Sequence, residues 1–218
     1  MSTPYNRFTG QSLERLTTLS DGIFAVAMTL LVLDLRVPVS AAASAHSAHL
    51  LSHELLKLGP GFAAYLLSFT MLGTFWLAQH ALLGNLARSD RNLTWINIGF
   101  LFVVTVLPFS AGILAEFVHA RLAVGLYWLN IALLGAGLAA SAGYARRARL
   151  VGEGSAPHQV SIFLGRILLA QVLYGAAALI CLASTIASVI AFAVVQAYFI
   201  LSPRIPLLDR AAGNRTPG

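Results

Sequence analysis

Apolar residues run along this chain in long blocks separated by short polar breaks. A helix that crosses a bilayer needs about 20 mostly apolar residues. Six blocks fit that pattern: Leu16 to Val37, Gly59 to Leu83, Leu93 to Phe117, Leu122 to Tyr144, Ile162 to Cys181 and Ala187 to Leu201. The last two form one apolar run, Ile162 to Leu201. As a single helix it would be about 60 Å long, twice the thickness of the hydrocarbon layer. A tight hairpin is therefore expected near Ala183 to Ser188, leaving a short sixth helix. The breaks agree with this division. Val39 to Lys57 is rich in Ala, Ser and His, Arg88 to Asn92 is a charged turn, and Arg146 to His158 is a basic loop with Pro157.

The composition turns this pattern into a class. The chain has 218 residues, 58% hydrophobic and 10% charged, against about 25% charged in ordinary soluble domains. An all-α integral membrane protein is expected, and no polar stretch is long enough for a separate soluble domain. The first apolar run is too long for a cleavable signal peptide and lacks a small-residue cleavage site. Cys181, the single cysteine, excludes an internal disulfide and a cysteine-based metal site. Three segments follow: residues 1–14 as an N-terminal arm, 15–202 as the six-helix transmembrane domain, and 203–218 as a polar, disordered tail.

Lys and Arg set the orientation. With the N-terminus in the cytoplasm, the inner segments hold eleven basic residues: Arg7, Arg15, Arg88, Arg91, Arg146, Arg147, Arg149, Arg166, Arg204, Arg210 and Arg215. The outer segments hold three, Arg36, Lys57 and Arg121. Both termini are thus expected inside. This bias accounts for the net charge of +6 without any nucleic acid.

The most informative segment is Arg15 to Pro38, because Ser20 and Asp21 stand inside an otherwise dry span. An ionisable residue in an apolar span is costly and points by default to function. Its carboxylate needs a donor. Alternating topology puts Trp76, Gln79 and His80 at the inner end of the second helix and Asn97 near the inner start of the third. The expectation is an inner polar network of Arg15, Ser20, Asp21, Trp76, His80 and Asn97 that locks the first helix to the next two. Further along, Val26, Thr29, Leu30 and Leu33 share one helical stripe. Periodicity alone leaves open whether that stripe packs against neighbours or lines a pore.

The remaining conspicuous residues read as structural. His46, His49 and His53 have helical spacing but are best read as solvated. Trp95 and Trp128 suit interfacial anchors, Pro108 would bend the third helix near its outer end, and Gly135, Gly137, Ala139 and Gly143 suit close helix packing. The Arg146, Arg147 and Arg149 cluster is most simply a topology signal and a site for anionic lipid headgroups. No nucleophile elbow, P-loop or zinc-protease helix occurs, so no enzyme is indicated.

With those residues in place, the chain resembles the bacterial members of the transmembrane protein 175 potassium channel family. The likeness rests on Arg15, Ser20, Asp21 and Gly22, on the following IFAVAMTLLVLDLRVP, on Phe75, Trp76 and His80, on Asn97, and on Pro108 with Phe109. Leu19 replaces the usual Phe of the Arg-x-x-x-Phe-Ser-Asp signature, and Gln79 stands where the family often has a second histidine. The resemblance implies a homotetramer of six-helix subunits in the bacterial inner membrane, with the first helices lining a central potassium pore and no cofactor. On this sequence it implies constrictions at Val26, Leu30 and Leu33 and a hydroxyl layer at Thr29. No TVGYG-type filter occurs, so selectivity would come from an apolar neck that penalises the more tightly hydrated sodium ion. Asp34 and Glu116 would lie near the outer mouth, with Asp34 equally suited to pairing with Arg36. The alternative is a proton-coupled secondary transporter that uses Asp21 and His80.

Overall fold

The computed structural model describes residues 4–33, 35, 58–152 and 157–201, with the side chains of 4–12, 60 and 157–159 left aside. Asp34, Arg36, the three loop histidines and the 203–218 tail lie outside the described residues. The helices are α1 (Pro4–Leu33), α2 (Gly59–Gly84), α3 (Arg91–Glu116), α4 (Arg121–Arg147), α5 (Pro157–Leu179) and α6 (Thr185–Leu201). A 3-10 turn, Ile180–Leu182, separates the last two. Among the described residues the only β pairing is an isolated bridge between Leu86 and Val151. Five helices are long and apolar enough to cross a membrane, and Thr185–Leu201 is a shorter apolar helix.

Local chemistry sets the boundaries. α1 begins earlier than the apolar pattern suggested, at Pro4, and its membrane-length apolar part is Leu13–Leu33. Pro4 suits a first helical turn, and its next proline is Pro38. Asp90 caps α3 by accepting from the Leu93 N–H at 2.8 Å. The hairpin falls a few residues before the expected place, because Ser184 caps α6: its Oγ accepts from the Ala187 N–H at 3.3 Å. Arg121 donates to Leu182 O at 2.9 Å, which satisfies a carbonyl of that turn.

α3 and α4 form the centre of the bundle; α1 packs on α2 and α3, α5 on α4 and α6, and α6 on α2. Fully buried Phe24, Met71, Leu72, Phe100, Tyr127 and Phe192 belong to the main core. Phe192 meets Tyr127 edge-on at 5.8 Å between ring centroids. Gly135 and Gly137 are close-approach positions: a Cβ on Gly137 would lie 3.1 Å from Phe100, and one on Gly135 would collide with the Gln171 side chain. α3 continues through Pro108. That ring removes one backbone donor and loosens the preceding turn, where the Asn130 amide donates to Val103 O at 3.4 Å.

Buried polar groups are tied across helices. Tyr174 on α5 donates to Gln196 Oε1 at 2.6 Å, and Gln196 Nε2 donates to Thr70 O at 2.9 Å and Thr74 Oγ1 at 2.7 Å on α2. Such bonds matter most where lipid offers no alternative partner. A second, smaller apolar cluster of Leu16, Leu83, Leu86, Leu93, Ala145 and Leu150 closes one end of the bundle. Arg88, Arg91, Arg146, Arg147 and Arg149 also stand there, all exposed.

Candidate functional site

α1 has two unlike faces. Leu16, Ser20, Phe24, Ala27 and Leu31 recur at helical spacing and are all buried against the bundle. The opposite face carries Arg15, Leu19, Gly22, Val26, Thr29, Leu30 and Leu33, and every one is exposed. Val26 is 57% and Leu33 67% exposed. Arg15, Leu19, Gly22, Val26 and Leu30 line an open groove of about 910 Å³, with Thr105 of α3 on its far wall.

The buried face is held by amide and hydroxyl chemistry. Gln79 Nε2 on α2 donates to Asn97 Oδ1 on α3 at 2.6 Å and lies 3.1 Å from Ser20 Oγ on α1. Asn97 Nδ2 reaches the same Ser20 oxygen at 3.3 Å, and Ser20 donates its proton to Leu16 O at 2.8 Å. Each of the three side chains is 2% exposed. Beside this triad, the Trp76 indole N–H donates to Asp21 Oδ1 at 2.8 Å. The His80 ring packs on Trp76, with centroids 5.6 Å apart.

The expected inner network is therefore arranged as two adjoining parts. Ser20 and Asn97 meet in the buried triad, while Asp21, Trp76 and His80 meet at its exposed edge. Arg15 stands apart on the open face, and among the described residues it makes no hydrogen bond or ion pair with either part. Gln79, absent from the expected network, is the residue that joins all three helices. Its helical spacing from Trp76 and its depth were visible in the sequence, and only its amide can donate to both neighbours at once. Thr29 makes a local bond, its hydroxyl donating to Val26 O at 2.8 Å. No cluster of three or more His, Cys, Asp or Glu side chains able to hold a metal occurs among the described residues.

Residues 15–108 match the family model described as the endosomal/lysosomal potassium channel TMEM175. That stretch takes in the triad, the Trp76–Asp21 pair and the whole open stripe. A potassium channel of Streptomyces collinus is 38% identical over 105 residues, 48% of this chain and 48% of that protein. A potassium channel of Chamaesiphon minutus is 35% identical over 116 residues, 52% of this chain and 56% of that protein. The chain thus spans about half the length of the curated relatives it matches. The crystal structure of a lysosomal potassium-selective channel TMEM175 homolog from Chamaesiphon minutus superposes with a TM-score of 0.76 at 28% identity. That likeness covers 89% of this chain and 100% of the other. With its membrane-length apolar helices and this shared fold, the chain is a multi-pass membrane protein whose residues 15–108 are similar to the TMEM175 family.

Proposed function

We propose that this protein is a potassium-permeable cation channel in which four copies of α1 surround a central pore. Both termini face the cytoplasm of a bacterial inner membrane. Val26, Leu30 and Leu33 form successive apolar constrictions, and Thr29 supplies a ring of hydroxyl oxygens between them. The observation that carries this reading is the division of α1 into a face bound by hydrogen bonds and a stripe left uncovered by its own subunit. A packing stripe would be buried in the subunit core; this one is not.

The chemistry follows from the side chains. A narrow apolar neck offers no ligands for a partly dehydrated cation, so passage costs more for sodium, which holds its water more tightly. Thr29 commits its proton to Val26 O, which leaves oxygen lone pairs for a passing cation. Four such oxygens replace part of a hydration shell and give modest selectivity. The triad and the Trp76–Asp21 pair hold the buried face of α1, and so fix the angle at which the stripe meets the axis.

The test is flux from liposomes. Downhill potassium movement that needs no counter-substrate and does not saturate supports the channel. Obligatory exchange with protons would instead mark a transporter using Asp21 and His80, and would overturn the proposal.

A further inference from the structure

The arginine-rich end of the bundle closes with a turn normally built on glycine. α4 ends at Arg147, with Ala148 as its cap. The Leu150 N–H then donates to Ala145 O at 2.9 Å and the Arg149 N–H to Arg146 O at 3.3 Å, the paired bonds of a Schellman termination. Arg149 holds the left-handed position, φ 53°. Glycine is the usual occupant because it has no Cβ to clash there. A long cationic side chain at that position therefore asks for a reason beyond ending the helix.

The surroundings supply one. Leu150 and Ala145 belong to the small cluster that also holds Leu16, near the start of the membrane-length part of α1, Leu13–Leu33. The same segment is stitched to the α2–α3 turn by Ala87 N–H to Leu150 O at 2.9 Å and Gly152 N–H to Asn85 O at 3.1 Å. That stitching joins the turn carrying Arg88, and followed by Arg91 at the start of α3, to the segment that carries Arg146, Arg147 and Arg149. Among the described residues of this group the acid is Asp90, already engaged by the Leu93 N–H and by the Tyr144 hydroxyl at 2.6 Å. Glu14 stands on the α1 side of the end, lining a separate cleft with Thr17 and His80. Arg146 also reaches Ser161 Oγ on α5 at 3.4 Å.

We propose that this end is a binding site for the phosphate headgroups of anionic phospholipids, and that a bound headgroup steadies the base of α1 through the Leu150–Leu16 cluster. Guanidinium forks match phosphate oxygens in pairs. These arginines flank the ends of membrane-spanning helices, at the level where headgroups lie. A soluble polyanion would meet the same charge but gains nothing from that level. The site stands on the geometry alone; only its effect on flux rests on the channel reading.

The full chain is tested in detergent by its melting temperature with added short-chain phosphatidylglycerol, phosphatidylcholine or inorganic polyphosphate. Phosphatidylglycerol is expected to raise the melting temperature by several degrees and the other two to leave it unchanged. Arg149→Gly fits the left-handed turn at least as well, so it should fold normally and lose a substantial part of that shift. Adding Arg88→Gln, Arg146→Gln and Arg147→Gln should abolish it. In vesicles, potassium flux is expected to be several-fold higher with phosphatidylglycerol than without, and insensitive to it in the quadruple variant. A full shift in the quadruple variant, or an equal shift with polyphosphate, overturns the lipid site. Absence of flux in every lipid would instead sink the channel reading, while the melting shift would still decide the site.

Discussion

Gln79 Nε2 lies 2.6 Å from Asn97 Oδ1, the shortest bond in a triad whose side chains are each 2% exposed. One amide on α2 therefore secures α3 and, through Ser20, α1. Its nitrogen serves both neighbours, and Ser20 spends its own proton inside α1. A buried polar group that loses its partner costs about 1–3 kcal/mol, and hydrogen bonds between membrane helices are worth about 0.6–2 kcal/mol.

Gln79→Leu keeps the volume and removes the shared donor. Asn97 Oδ1 is then orphaned, while Asn97 Nδ2 keeps Ser20. The expected loss is about 1–2 kcal/mol, read as a lower melting temperature of the purified protein. On the proposed channel reading, ion preference should stay near the parental value, since no residue of the proposed pore stripe changes. An unchanged melting temperature would show that the triad does not hold α1.

Trp76 and Asp21 form the second tie, and a double-mutant cycle isolates it. Trp76→Phe preserves the ring against His80 but removes the indole N–H. Asp21→Asn preserves shape but removes the charge. Each should weaken the proposed assembly, scored as the fraction of the proposed tetramer in size-exclusion chromatography, and the pair should be less than additive by about 1 kcal/mol. Strict additivity would mean that the 2.8 Å contact carries no coupling.

The helices and their order were legible from apolar block length, because a bilayer fixes how long an apolar helix must be. Depth matching also brought Ser20 and Asp21 to Trp76 and Asn97. Two kinds of detail were not legible. Rotation about the helix axis placed Arg15 on the open face, away from the acid six residues on, and separated Asp21 from the buried triad. Partner choice made Gln79 the hub, since depth alone ranks Gln79 and His80 equally. The same limit hid the Gln196–Tyr174 tie, where a mid-helix amide finds two threonines of a helix far away in sequence. Apolar surroundings make such pairs inevitable without naming them.

Thr29 and Leu30 separate the two elements of the proposed pore. Thr29→Val is nearly isosteric and deletes one hydroxyl whose only bond is within its own turn. Fold stability should change by less than about 0.5 kcal/mol, while potassium over sodium preference falls. Leu30→Asn or Leu33→Asn should wet the neck, raise conductance and bring the ratio towards unity. Bi-ionic reversal potentials measure all three. Parental ratios throughout would remove these residues from the permeation path.

Gly135 offers a test of the bundle apart from the pore. Its Cβ position is already filled by the Gln171 side chain, whose amide leans across α4 and donates to Ile131 O at 3.4 Å. Gly135→Ala gains helix propensity of about 1 kcal/mol but forces Gln171 to move or α5 to withdraw, an overpacking cost of about 1–3 kcal/mol. The collision should win, because Gln171 Cγ as well as its amide would have to move, at the cost of the bond to Ile131 O. The melting temperature should therefore fall, and Gln171→Ala in the same chain should restore it by vacating the space. Destabilisation that Gln171→Ala fails to relieve would place the constraint in the α4–α5 backbones themselves.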